Sequence, residues 1–319
     1  STVYIQSVVD LKKDKAIVFE IPAGTGPIFI DDANFRFVTD FGPLGADKGK
    51  GGTYLILSPD YKDGDIEDLK GKEIPYEGSL AVEMKIGSDT RTVFVVQSRS
   101  YSNWMLGRGF LKDGKADASV KMYEDGAKLY SLSDAKNPPK LEIVNLSNKP
   151  TNDIFANNYS FYEKLNTLIQ EEPIEFLDIE TRGLIRSIGI VKGEPFNPDA
   201  RMKKILTDAA AIGNAAARAI SFFPREPGNL IYGEESAWMM AYANKNTAFE
   251  KNGAYNLDAR ALFHFGYICV SPAMAVTVAG KGSDYGLIAL DSKKRPLDGS
   301  KTYKLHLPPN PPVKDFWAL

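Results

Sequence analysis

Phe29-Ile30-Asp31-Asp32-Ala33-Asn34-Phe35-Arg36-Phe37-Val38-Thr39-Asp40-Phe41 reads as β structure, because β-branched and aromatic side chains recur along it and a strand sends alternate residues to opposite faces. On that period Asp32, Asn34 and Arg36 project together, while Phe35 and Phe37 lie on the other side. Similar runs surround it, at Val3 to Leu11, Ala16 to Ile21, Thr53 to Leu57 and Thr90 to Ser98. Turn chemistry separates them: Ala23-Gly24-Thr25-Gly26-Pro27, Gly49-Lys50-Gly51-Gly52, Asp63-Gly64 and Gly87-Ser88-Asp89. Short strands between such turns predict an antiparallel β-sandwich, jelly-roll-like, over residues 1–146.

The texture changes after Asp113. A short helix is predicted around Asp117 to Gly126, followed by the linker-like Asn137-Pro138-Pro139 and a strand at Leu141 to Leu146. Ser160-Phe161-Tyr162-Glu163 matches a capping box, and the helix it opens must stop before Pro173. A further helix spans Asp178 to Ser187, with Gly189 near its end. Asn197-Pro198-Asp199 supplies an N-cap, a first-turn proline and an acid against the helix dipole, so a long helix follows. Its predicted buried face is Met202, Ile205, Leu206, Ala209, Ile212, Gly213, Ala216 and Ile220. Leu257-Asp258-Ala259-Arg260 opens one more helix, although its aromatic continuation would also suit a buried strand. The tail returns to β structure, at Tyr285 to Leu290, Thr302 to Leu307 and Phe316 to Leu319. The expectation is an α+β multidomain chain: a β-sandwich at 1–146, a helical middle region at 147–270, and the start of a C-terminal β domain at 271–319.

Composition narrows the function classes. Lys and Arg number 39 against 41 Asp and Glu, so no basic field exists to gather phosphates, and nucleic acid is not an expected partner. No apolar run approaches the ~18 residues of a membrane span. Cys269 is the single cysteine and reads as a small buried hydrophobe, and two histidines far apart make no zinc pattern. No metal and no cofactor is called for. Gly45 to Gly52 fails the phosphate-loop spacing and leads into a strand, which leaves a flexible turn. Gly282-Ser283-Asp284-Tyr285-Gly286 fails the nucleophile-elbow spacing.

The candidate ligand-binding residues are polar groups set among aromatics. Asp32, Arg36 and Asp40 lie in the opening stretch; Arg99 and Arg108 flank Tyr101 and Trp104; Asp258, Arg260 and His264 fall at helical spacings. Structural ion pairing explains the same residues without a ligand, and His264 on an aromatic face also reads as a satisfied core histidine.

Several segments in order carry a resemblance: Val38-Thr39-Asp40-Phe41-Gly42, Asp47 through Leu55, Ile188 through Gly193 with Pro195-Phe196, and Leu297-Asp298-Gly299 through Asp315-Phe316-Trp317. The chain resembles the bacterial and viral proteins that carry the paired domains of unknown function numbered 1254 and 1214. The resemblance implies β-sandwich units joined by a helical part and a periplasmic or secreted location; it implies no catalytic residue. Members extend on both sides of this segment order, so the chain resembles the middle of one. A further chain segment or another subunit is then expected to cover the C-terminal sheet edge.

Two functions follow as expectations. One is an exported or surface-associated binding or interaction module for a small polar or carbohydrate ligand. The other is a hydrolase acting on a carbohydrate or other small polar substrate, which would need two carboxyl groups across a cleft.

Overall fold

Val3–Asp10 alternates exposed and covered residues from its first turn of chain, and this period-two pattern builds β1. Asp10 then caps a one-turn helix, α1 (Leu11–Asp14), by accepting hydrogen bonds from Lys12 N and Lys13 N. There follow β2 (Ala16–Ile21), β3 (Ile28–Asp32), β4 (Phe37–Phe41), β5 (Gly52–Leu57), β6 (Leu80–Ile86), β7 (Asp89–Gln97), β8 (Ser102–Gly109), α2 (Asp117–Gly126) and β9 (Lys128–Ser131). The structure is a computed structural model that describes residues 3–150, 152, 156–267, 269–276, 284–307, 309–310 and 317–319.

The strands form a four-stranded antiparallel sheet, β1-β8-β3-β4, and a five-stranded sheet, β6-β7-β5-β2-β9. In the second sheet β5 and β7 run parallel, so it is mixed where an antiparallel one was expected. Val9, Ile28, Ile30, Phe41 and Met105 from the first sheet share one buried core with Phe19, Tyr54, Ile56 and Val96 from the second. The opposite face of the second sheet is also buried, through Val18, Leu55, Leu57, Val82, Met84 and Val95. Burial on both faces explains why β2 and β5 read as continuous apolar runs without alternation.

The opening stretch is not one strand. It is a hairpin: Phe35 has φ of 53°, and Asp32 N donates to Arg36 O. Asp32 drives the turn, because its carboxylate accepts from the backbone N–H groups of Asn34 and Arg36. β8 escaped the sequence reading because Ser-Asn-Trp-Met-Leu-Gly-Arg-Gly contains no β-branched residue, yet it is a central strand. Its Gly107 is required by space: a Cβ there would meet Ile28 Cγ1 at 2.8 Å and Ile5 Cγ2 at 3.0 Å.

After β9 the segment Leu141 to Leu146 is irregular, and no strand forms there. Three helices follow, α3 (Ser160–Glu171), α4 (Ile179–Ser187) and α5 (Ala200–Phe222). Their ends differ from the predicted caps in two places. Ser160 lies inside α3 and its hydroxyl donates to Asn158, so no capping box forms. At α5 it is Asp199 that accepts from Met202 N, two residues after Asn197. The α5 face also departs from expectation: Leu206 is buried, but Ile205 and Ile212 are 42% and 69% exposed and a Cβ on Gly213 meets nothing within 4 Å.

By compactness the chain divides into two units, Ser1–Ile212 and Gly213–Leu319. The second contains two short ladders, β10 (Trp238–Met239) with β13 (Leu287–Ile288), and β11 (Glu250–Lys251) with β12 (Ala254–Tyr255). It also contains α6 (Leu257–Gly266) and α7 (Pro272–Ala275), so the ambiguous aromatic run is a helix, capped by Asn256. Phe263 packs at a tilt against Tyr242 and Phe249 in its core, and Cys269 is buried. The strand expected at Thr302 to Leu307 pairs with nothing among the described residues, and β13 is two residues where Tyr285 to Leu290 was expected. Phe316 lies outside the described residues, and Trp317 to Leu319 are irregular.

Candidate functional site

The structure disperses most of the residues singled out from sequence. Asp32 and Arg36 do meet: Arg36 Nε donates to the fully buried Asp32 carboxylate at 2.7 Å, and the guanidinium lies over the Phe176 ring at 5.9 Å. Asp40 sits opposite Phe29 on β4, and Arg108 sits opposite Tyr4 on β8, over whose ring it lies at 5.7 Å. Arg99 pairs with Glu77 at 3.4 Å and lies over Tyr76 at 5.0 Å. Asp258 is exposed in the first turn of α6, while Arg260 covers Tyr255. His264 packs against the Phe249 and Phe263 rings; burial, and then the charge of Arg260, push its pKa down to about 4.

Two buried acids outside that set hold structure in place. Asp47, in the Gly45 to Gly52 loop, accepts from Gly42 N at 2.7 Å, Tyr54 Oη at 2.6 Å and Gly51 N at 3.2 Å. The loop is thus organised around a carboxylate and is not the flexible turn expected. Glu172 accepts from Tyr101 N at 2.6 Å and Ser102 N at 2.9 Å, tying the end of α3 to the β7–β8 turn. Lys192 Nζ donates to the carbonyls of Ile169, Gln170 and Glu172, satisfying the last turn of the same helix.

A cleft lies elsewhere, at one end of the five-stranded sheet, with a volume of about 750 Å³. Three elements deliver its polar groups. Lys15 follows α1 with φ of 60°, which turns the chain back into β2. Ser58 and Asp60 follow β5, fixed by Ser58 N donating to Lys15 O. Ser131 ends β9, Ser133 follows it, and the two share a hydrogen bond at 2.9 Å. Ala16, Leu57 and Leu132 give the cleft an aliphatic floor. None of the eight sequence candidates lines it.

Electrostatics set the state of these groups. Lys15 Nζ donates to Asp60 Oδ2 at 2.6 Å, and Ser58 Oγ donates to Asp60 Oδ1 at 2.5 Å. Partial burial opposes ionisation of Asp60, but these hydrogen bonds and the Lys15 charge outweigh it and hold the carboxyl below its ordinary range. The same bond to Asp60 raises Lys15, so both groups are charged at neutral pH. Lys12 and Lys15 each lie over the Tyr101 ring at 5.8 Å. Tyr61 also lines the cleft; its hydroxyl oxygen is buried without a hydrogen-bond partner, and burial followed by the charges of Asp63 and Asp65 raises its pKa. Sequence reading missed this cluster because its members are widely separated in the chain and form no spaced motif. The Ser58-Pro59-Asp60 turn directly after an apolar strand was the one local cue.

Residues 1–131 match the family model described as "Protein of unknown function (DUF1254)", and residues 282–319 match "Protein of unknown function (DUF1214)". Both models of the pair match segments of this chain. The cleft falls almost wholly within the first matched region, with Leu132 and Ser133 just beyond it. The crystal structure of the VPA0106 protein from Vibrio parahaemolyticus is similar over 86% of this chain, with a TM-score of 0.51 at 14% identity. The chain spans about 58% of that protein's length, and the likeness concerns the fold alone. No match was found among curated proteins.

Proposed function

We propose that this chain binds a small polyhydroxylated ligand, of the carbohydrate class, in the cleft between Lys15, Ser58, Asp60, Ser131 and Ser133. The observation that carries this reading is the lining: an ion pair and three hydroxyls over an aliphatic floor, in a volume within the ~300–1,000 Å³ of small-molecule sites. A polyol presents alternating hydroxyls and C–H faces. Serine hydroxyls donate and accept, the ammonium donates and the carboxylate accepts, so each ligand hydroxyl finds a complement. The state of Asp60 fits binding better than hydrolysis with Asp60 as the acid. A glycosidase needs one carboxylic acid kept protonated, and Asp60 is shifted the opposite way. An exported or surface location belongs to this reading and rests on the family resemblance.

Saturation-transfer NMR of the chain against a panel of neutral and acidic mono- and oligosaccharides tests it. Transfer should be lost in Asp60→Asn and Ser131→Ala and kept in Arg99→Gln. Absence of transfer from every sugar, or transfer indifferent to the cleft variants, refutes the proposal.

A further inference from the structure

β1 is the outermost strand of the four-stranded sheet and pairs with β8 in unbroken register from Val3↔Gly109 to Asp10↔Ser102. Just beyond it Leu11 N donates to Tyr101 O at 2.9 Å, the next position of the same register. Hydrogen-bonded pairs in an antiparallel ladder fall at every second residue, so Val9, Ser7 and Ile5 bond β8. The N–H and C=O groups of Tyr4, Gln6 and Val8 therefore point away from the sheet, toward its free edge. The side chains of these three residues lie on the outer face, where Tyr4 is 57% and Val8 73% exposed.

This edge differs from the others among the described residues. β4 is five residues long and carries Asp40; β6 carries exposed Glu83 and Lys85; β9 is four residues long and opens with Lys128. Short length and charge are how sheets keep their edges from pairing. From Val3 to Val9 the β1 edge has neither a charge nor a proline nor a register shift. It is built to be paired.

We propose that β1 pairs antiparallel with β1 of a second copy of this chain, about a twofold axis at Gln6. In that register Tyr4 faces Val8 of the second copy and Gln6 faces its own equivalent. These are the residues whose backbone groups point outward, so every hydrogen-bonded position meets another hydrogen-bonded position. Tyr opposite Val is an aromatic with β-branched pair, a favourable cross-strand combination, and no charge meets a like charge anywhere in the span. The contact is isologous and closes at two copies, joining two four-stranded sheets into one. Between Val3 and Val9 a charged partner strand finds no complementary side chain on β1, whereas an identical neutral strand does.

Light scattering and sedimentation of the 319-residue chain over rising concentration should show mass moving from 35.1 kDa toward twice that value. Gln6→Lys places two ammonium groups opposite each other across the axis, and Gln6→Glu two carboxylates; each variant alone should remain monomeric with unchanged far-ultraviolet circular dichroism. An equal mixture of the two should recover the dimer, because Lys then faces Glu. Amide exchange at Tyr4, Gln6 and Val8 should slow in the dimer and not in either variant alone. A wild-type chain that stays at 35.1 kDa, single variants that still dimerise, or a mixture that fails to recover the dimer would each overturn the proposal.

Discussion

His264 offers a pH dependence whose sign and size follow from its surroundings. The ring sits among Phe249 and Phe263 one helical turn after Arg260, and burial, then that charge, lower its pKa from 6.5 to about 4. An unfolded chain takes up the proton near pH 6.5, while the folded chain refuses it until about pH 4. The stabilisation is therefore complete above about pH 6.5 and is lost progressively as pH falls toward 4. At about 1.4 kcal/mol per pKa unit the whole effect approaches about 3 kcal/mol. His264→Phe keeps the aromatic packing and removes the proton. Urea melts followed at Trp238, which lies in the same unit, should show the wild type losing about 3 kcal/mol more than the variant between pH 7 and 4. The chain has two histidines, so the NMR signal absent from His264→Phe identifies the ring, and its titration should centre near pH 4. Parallel pH curves for the two proteins, or a midpoint near 6.5, would refute the argument.

Three further perturbations test the packing. Gly213→Ala should stabilise the chain by roughly 0.5–1 kcal/mol, since the new methyl meets nothing and the unfolded state loses freedom; a loss in denaturant melts would show that this face is covered. Gly107→Ala should destabilise by about 1–3 kcal/mol, because its methyl drives into Ile28 and Ile5, and an unchanged melting midpoint would contradict that contact. Glu172→Ala strands the Tyr101 and Ser102 N–H groups and should cost about 3 kcal/mol while loosening α3, read as faster amide exchange at both residues.

The elements legible in the sequence were those whose information is local. α2, α3, α4 and α5 lie within a few residues of their predicted spans because prolines, caps and periodicity act over one or two turns. β2 and β5 were legible because burial on both faces demands a continuous apolar run. β8 was not, since its strand character comes from its neighbours β1 and β3, and its Gly107 is dictated by the side chains of Ile5 and Ile28 across the ladder. The predicted strands at Leu141 and Thr302 failed for the converse reason: alternation supplies a face, but a strand also needs a partner edge, and that is a property of the whole sheet. The apolar stripe of α5 was read as buried on the same incomplete logic.

The site shows the same division more sharply. Asp32 and Arg36 stood out because charges beside aromatics are conspicuous in a sequence, and their proximity was real. Their role follows from what a buried charge requires: Asp32 is satisfied by the backbone of its own turn and by Arg36, and that satisfaction consumes the acceptors a ligand would need. The cleft groups were inconspicuous for the opposite reason. Lys15, Asp60, Ser131 and Ser133 are common surface residue types, each ordinary in its own segment, and they acquire meaning only because β2, β5 and β9 are neighbours whose ends converge. The cleft groups are hydrogen-bonded to one another, yet the Lys15 and Asp60 side chains remain 59% and 41% exposed, whereas the Asp32 carboxylate is fully buried in its own turn. An exposed pair can exchange water for a ligand hydroxyl and a buried one cannot, so the reachable polar groups are those gathered where three strand ends meet.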